Sequence, residues 1–271
     1  MNMDVIPIGV LFAATIIVVM IAIWAGFRLG HAAPRWSVNE KESPVSTAAT
    51  AILTLVGFIL AFTFSIVSDR YDARMALVRD EANVIGTAWL RSDFLPEPDR
   101  SEAAALIRDY VDLRLDAVRS RDFAKIKIGL IESDRIQRQL WDMAVRNARK
   151  DMNSNVGALY IESLNALIDI HALRVAIGLH VRIPGGIWQV LYALVILGMI
   201  GVGYQAAIAG STRKSWAMPI LAFSFSLVIA LIISLDRPQS DFITVSQQPL
   251  ADLRATMTTG LEARSDLGDK H

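Results

Sequence analysis

Hydrophobic and polar positions are sharply segregated along this chain. Four stretches carry no charged residue at all: 5–27, 43–68, 183–212 and 215–235, of 23, 26, 30 and 21 residues. Each exceeds the roughly 20 residues that a helix needs to cross the hydrocarbon layer. The pattern predicts four membrane-spanning helices, with span one near 6–27 and Trp24 as its interfacial aromatic. Residues 28–44, polar and broken by two prolines, predict a loop, and Ser46 or Thr47 is placed to cap span two. No breaker follows Val67. Met75, Val78, Ala82, Ile85 and Trp89 continue at helical spacing, so the second helix is expected to leave the membrane unbroken and run to about Leu90.

Pro96 and Pro98 then stop the helix. Asp99 with Glu102 has the spacing of a capping box for a helix over 99–121, and further helices are expected over 130–150 and 155–182. Nothing in this region alternates with period two, so no sheet is expected. Pro184-Gly185-Gly186 closes it. Span three starts at Ile187, a turn at 210–214 follows, and span four ends at Asp236-Arg237-Pro238. The resulting organisation is a first membrane hairpin (1–68), a helical domain (69–186), a second membrane hairpin (187–236) and a C-terminal tail (237–271), mobile from about Thr258.

Composition sharpens this picture. Residues 69–182 hold 36 of the 54 charges, 18 of each sign, so the polar character is concentrated in one domain. Net charge is zero, which removes a global field for nucleic acid. The chain has no cysteine, hence no disulfide and no thiolate chemistry. The first stretch lacks a basic flank and overruns a signal-peptide core, so it reads as a retained span. An even span count puts both termini and the 69–186 domain on one side. Seven basic residues near span ends there, against five in the two opposite loops, favour the cytoplasm for that side.

Enzyme chemistry finds little support. The four histidines, His31, His171, His180 and His271, form no metal-binding spacing, and no nucleophile or phosphate-loop motif occurs. Asp80-Glu81 and Asp109, Asp112 and Asp116 each have an arginine within four residues, the pattern of surface i,i+4 pairs. Neither a cofactor nor a metal site is expected.

Span two is more informative. Thr54, Phe58, Phe62, Ser65 and Asp69 fall on one helical stripe. Such a stripe faces lipid, a neighbouring helix or a shared axis. In the last case rings of phenylalanine would form a dry constriction whose positive ring edges tolerate a dehydrated anion. Arg70 and Arg74, one turn apart at the membrane exit, would then line a vestibule, unless Asp69 and Asp72 neutralise them. Gly198, Gly201 and Gly203 in span three suit close helix packing.

The run from Gly57 to Arg70 (GFILAFTFSIVSDR) resembles the second transmembrane helix of bestrophins, which are pentameric anion channels, and is more similar still to the bacterial bestrophin-like family. Phe58, Phe62 and Arg70 stand where that helix carries neck aromatics four apart and a following arginine. The third neck position, aliphatic in bestrophins, is Thr54. The resemblance continues in DARMALVRDEANVIGTAWLR at 72–91, FLPEPDR at 94–100 and LDRPQSDFITVSQQPL at 235–250. It departs after Asp69-Arg70, where the bestrophin tryptophans are missing. Asp236, Asp241 and Asp252 are too sparse for the calcium site that animal bestrophins place after the fourth span.

The resemblance implies an all-α, four-span, bestrophin-like protein of the bacterial inner membrane, a homo-oligomer and specifically a pentamer. It would be surrounded by membrane lipid and pass small inorganic anions such as chloride. Phe58 and Phe62 would be its neck, Thr54, Ser65 and Ile66 the flanks, and Asp69, Arg70 and Arg74 the vestibule. Two other readings stay open on the residues alone: a non-conducting receptor or scaffold, and a cation pathway favoured by Asp69.

Overall fold

The computed structural model describes residues 6–32, 44–120, 123–180, 182–209, 216–237 and 243–268. They form an all-α protein. The helices are α1 (Ile8–Ala32), α2 (Pro44–Arg91), α3 (Asp99–Arg119), α4 (Phe123–Ala148), α5 (Asn155–Val175), α6 (Gly185–Ile208), α7 (Ala217–Asp236) and α8 (Gln248–Gly268). A 3-10 turn, Ser92–Phe94, closes α2, and one turn of π-helix, Ala176–His180, prolongs α5. The chain divides into two compact units: Met1–Tyr71 with Arg182–Thr244, and Asp72–Val181 with Val245–His271.

Several boundaries differ from those expected. Helix α2 begins at Pro44, whose fixed φ suits a first helical position, so Ser46 and Thr47 lie inside the first turn rather than ahead of it. The predicted Asp99–Glu102 capping box does not form. The N-cap of α3 is Pro98, and it is the Glu97 carboxylate that accepts from the Ser101 amide, at 3.3 Å. Asp99 instead accepts from the Asn147 side chain at 2.6 Å. Helix α4 starts seven residues before the expected 130, and the tail holds a helix, α8, that was not anticipated. Helix α1 runs on to Ala32, five residues past the expected end of span one, so 28–32 are helix and not loop; the rest of the expected loop, 33–43, and the 210–214 turn lie outside the described residues.

In the first unit α1, α6, α7 and the N-terminal part of α2 share one apolar core, with Val19, Val56, Leu191, Val195, Met199 and Ile229 fully enclosed. Small residues set its closest crossing. A Cβ on Gly26 would overlap the Ile200 carbonyl, and one on Gly203 the Ile23 carbonyl, so α1 and α6 meet backbone to backbone. Thr15 donates to the Leu11 carbonyl at 2.8 Å and lies 2.9 Å from the Tyr192 hydroxyl, which joins the two helices again by a buried polar contact.

In the second unit the C-terminal part of α2 packs with α3, α4, α5 and α8 around Ile85, Ile107, Tyr110, Ile136, Leu140 and Leu164. Helix α8 inserts Leu250 and Met257, seven residues apart on one face, into this core. Gly260 lets the Trp89 ring approach: an added Cβ would lie 2.9 Å from the ring. Arg254 secures α8 to Asp112 of α3 at 2.7 Å. Among the described residues five helices are long and apolar enough to cross a membrane by length and composition: α1, α2, α6, α7 and, beyond the four expected, α5 with its extension to Gly178.

Candidate functional site: the free face of the second helix

Helix α2 turns one side toward its unit and leaves the other without a protein neighbour. Taking about 100° per residue and Phe62 as zero, the buried side chains Ala49, Val56, Leu60, Thr63 and Val67 cluster near about +130°. Phe58, Asp69, Ser65 and Thr54 fall between about −20° and −80°, almost diametrically opposite. All four are exposed, as is Phe62. Phe58 and Phe62 are 61% and 56% accessible, so their rings are largely uncovered by the described residues. They meet each other, with centroids 4.6 Å apart at 58°. Ile66 is also exposed, on the flank toward the packed side.

The exposed side of α2 ends in a carboxylate, which the exposed side of α7 lacks. Helix α7 exposes Ile220, Phe223, Leu227, Val228 and Leu231, with Ser224 among them donating its hydroxyl to the Ile220 carbonyl at 2.9 Å. The free face of α2 sets its two phenylalanines and Leu55 among Thr54, Ala61, Ser65 and Asp69. The Thr54 hydroxyl donates to the Thr50 carbonyl at 2.9 Å, so its proton is held by its own helix and its oxygen lone pairs face outward. A Cβ placed on Gly57 would meet open space.

At the end of the uncharged run the expected vestibule residues separate. Asp69 lies on the free face, exposed, with no ion-pair partner among the described residues. Arg70 is rotated about 80° from Phe62 toward the packed side and pairs with Asp236 at the end of α7, at 3.4 Å. Asp236 is itself buried and also accepts from the Ile183 amide at 3.3 Å. One carboxylate thus ties together α2, α7 and the segment leading into α6. Arg74, in the second unit, is buried. Of the acids considered for calcium, Asp236 is engaged in this way, Asp252 accepts from Gln248 at 2.7 Å, and Asp241 is outside the described residues.

The second unit holds a buried polar network that the sequence does not announce. Glu81, fully enclosed, pairs with Arg114 of α3 at 3.0 Å and with Arg174 of α5. The surface i,i+4 pairing expected for Glu81 is therefore wrong: its partners come from two other helices. Beside it the Tyr110 hydroxyl lies 2.9 Å from His171 Nδ1, and Asp134 lies 3.5 Å from Nε2 of the same ring. Asp112, likewise expected to pair along its own helix, holds Arg254. The one available signal was that Glu81 occupies the same apolar-periodic face as Val78 and Ile85. Among the described residues no group of three or more His, Asp or Glu is placed to hold a metal.

The fold is thus that of an all-α, multi-pass membrane protein that has a second, helical unit in addition to its apolar one. A family model described as Bestrophin-like domain matches residues 13–250, and the chain belongs to the bestrophin-like family. Comparison with curated proteins and with solved structures gives no match.

Proposed function

We propose that several copies of the chain, five by the family resemblance, surround a common axis in the membrane and let small inorganic ions pass passively along it. The free face of α2 lines this axis. Phe58 and Phe62 form its narrow dry neck, Thr54, Ser65 and Ile66 flank the neck, and Asp69 stands at its mouth. Arg70 and Arg74, both turned away from that face, act as supports of the vestibule wall. One observation carries the reading: the side of α2 opposite its packed face brings two exposed aromatic rings together with the hydroxyls of Thr54 and Ser65 and the Asp69 carboxylate. The Asp69 carboxylate at the end of this stripe suits a hydrated ion at the mouth of an axial conduit.

Four helices cross the bilayer in this reading: α1, α2, α6 and α7. Helix α5 is left out although its length suffices. It carries Glu162, Asp169 and Arg174, and it gives Tyr160, Leu164, Leu167 and His171 to the core of the second unit. With four spans the termini and the second unit share one side; the basic residues near the span ends favour the cytoplasm for it, and the family resemblance suggests a bacterial inner membrane.

The resemblance points to anions. The pairing of Arg70 with Asp236, beside an unpaired Asp69, favours the cation reading instead. The test common to both is ion flux in liposomes. The double substitution Phe58→Ala and Phe62→Ala is expected to raise flux several-fold by widening and wetting the neck. A particle of intact oligomeric mass with no flux, before and after that change, would leave a non-conducting scaffold as the function.

A further inference from the structure

We infer that the conduit selects cations, and that Asp69 is the residue that makes it do so. This rests on the axial reading above and deepens it. By helical geometry Asp69 falls between Phe58 and Phe62 in azimuth, about 20° from Phe62, so whatever those rings face, the carboxylate faces as well. It is the first charge after 26 uncharged residues, which puts it at the mouth of the neck rather than in the hydrocarbon.

The neighbouring positive charge is cancelled. Arg70 lies toward the packed side, and Asp236 compensates it within the same protomer at 3.4 Å, in a setting where both side chains are largely covered. A charge pair of this kind presents a dipole, not a monopole, and its field falls off steeply with distance. Arg237, next in the chain, donates to the Ile6 carbonyl at 2.6 Å and is buried at the end of α7, not on α2. Repeated around an axis, the free face of α2 up to Tyr71, where the first unit ends, therefore contributes the Asp69 carboxylate from each protomer and no arginine. A ring of carboxylates concentrates cations at the mouth and repels anions before either reaches the phenylalanines.

The experiment is reversal-potential measurement on the reconstituted full-length protein, with potassium chloride in unequal concentrations on the two sides. The wild type is expected to favour potassium over chloride. Asp69→Asn, an exposed and nearly isosteric change, should lower that permeability ratio by about fivefold or more, and Asp69→Glu should retain it. Chloride preference in the wild type would overturn the inference, as would a ratio insensitive to Asp69→Asn, while the conduit itself would stand. Absence of any current from an intact oligomer would overturn the conduit and this selectivity with it.

Discussion

Glu81 is the residue on which the second unit's electrostatics turn. Its carboxylate is enclosed between Arg114 and Arg174, and burial holds the Arg114 guanidinium below its usual range, the mark of a cation that needs its counter-charge. Glu81→Gln keeps the shape and removes the charge, leaving two buried cations to repel each other. A loss of about 3–5 kcal/mol is expected, read as a large drop in melting temperature of the detergent-solubilised protein, with α1, α6 and α7 unaffected in composition. His171 gives the unit a pH dependence. Burial, reinforced by the nearby Arg114 charge and opposed by Asp134, pushes its imidazole down to about 4. The unfolded chain, near 6.5, takes up the proton first. Stability from this residue is therefore complete above about pH 6.5 and is lost as the pH falls toward 4, by on the order of 3 kcal/mol. Comparing His171→Gln with the wild type at pH 7 and pH 4.5 checks this: the wild type should lose more stability on acidification, and equal losses would refute the assignment. Neither role was legible in the sequence. The helical stripe of Phe58, Phe62, Ser65 and Asp69 was, because it lies within one element, whereas the partners of Glu81 and His171 come from elsewhere in the chain.

At the scale of elements, the α1–α6 crossing depends on two glycines that have no room for a side chain. Gly203→Ala would drive a methyl group into the Ile23 backbone, which can yield only by moving a whole helix. The expected cost is about 1–3 kcal/mol or more. Gly57→Ala, which meets open space, should be neutral or gain up to about 1 kcal/mol from helix propensity. Thermal unfolding of both variants in detergent gives the comparison, and a harmless Gly203→Ala would contradict the close crossing. The sequence reading placed the glycine-rich face in span three but not its partner Gly26, since spacing reveals which face is small and not what meets it. Helix α8 escaped for a related reason. Leu250, Leu253 and Met257 do have helical spacing, yet the surrounding residues are polar, and only docking against Trp89 and Asp112 makes the segment a helix worth forming. The early start of α4 at Phe123 follows directly on Asp122, a residue type favoured at helix N-caps, a signal in the sequence that the expected start at 130 passes over.

For the molecule as a whole, the alternation of charge-free and charge-rich stretches made its class legible from the start, because hydrocarbon imposes a length and a polarity that few other environments do. The free face of α2 was legible as a stripe but not as a free face, since vacancy on one side of a helix is a property of the packed unit. The fifth apolar helix shows the opposite failure: α5 has the length and hydropathy of a span, and its surroundings in the second unit argue otherwise. One consequence follows from the four uncharged runs themselves. A transmembrane potential performs work only on charges that move through it, at about 2.3 kcal/mol per elementary charge per 100 mV. Stretches 5–27, 43–68, 183–212 and 215–235 offer it none. Single-channel records in symmetric salt should accordingly show an open probability nearly flat between opposite polarities. A steep rise toward either sign would mean that some sensor outside these runs enters the electric field, and the conduit would then be an electrically driven switch instead of a standing leak.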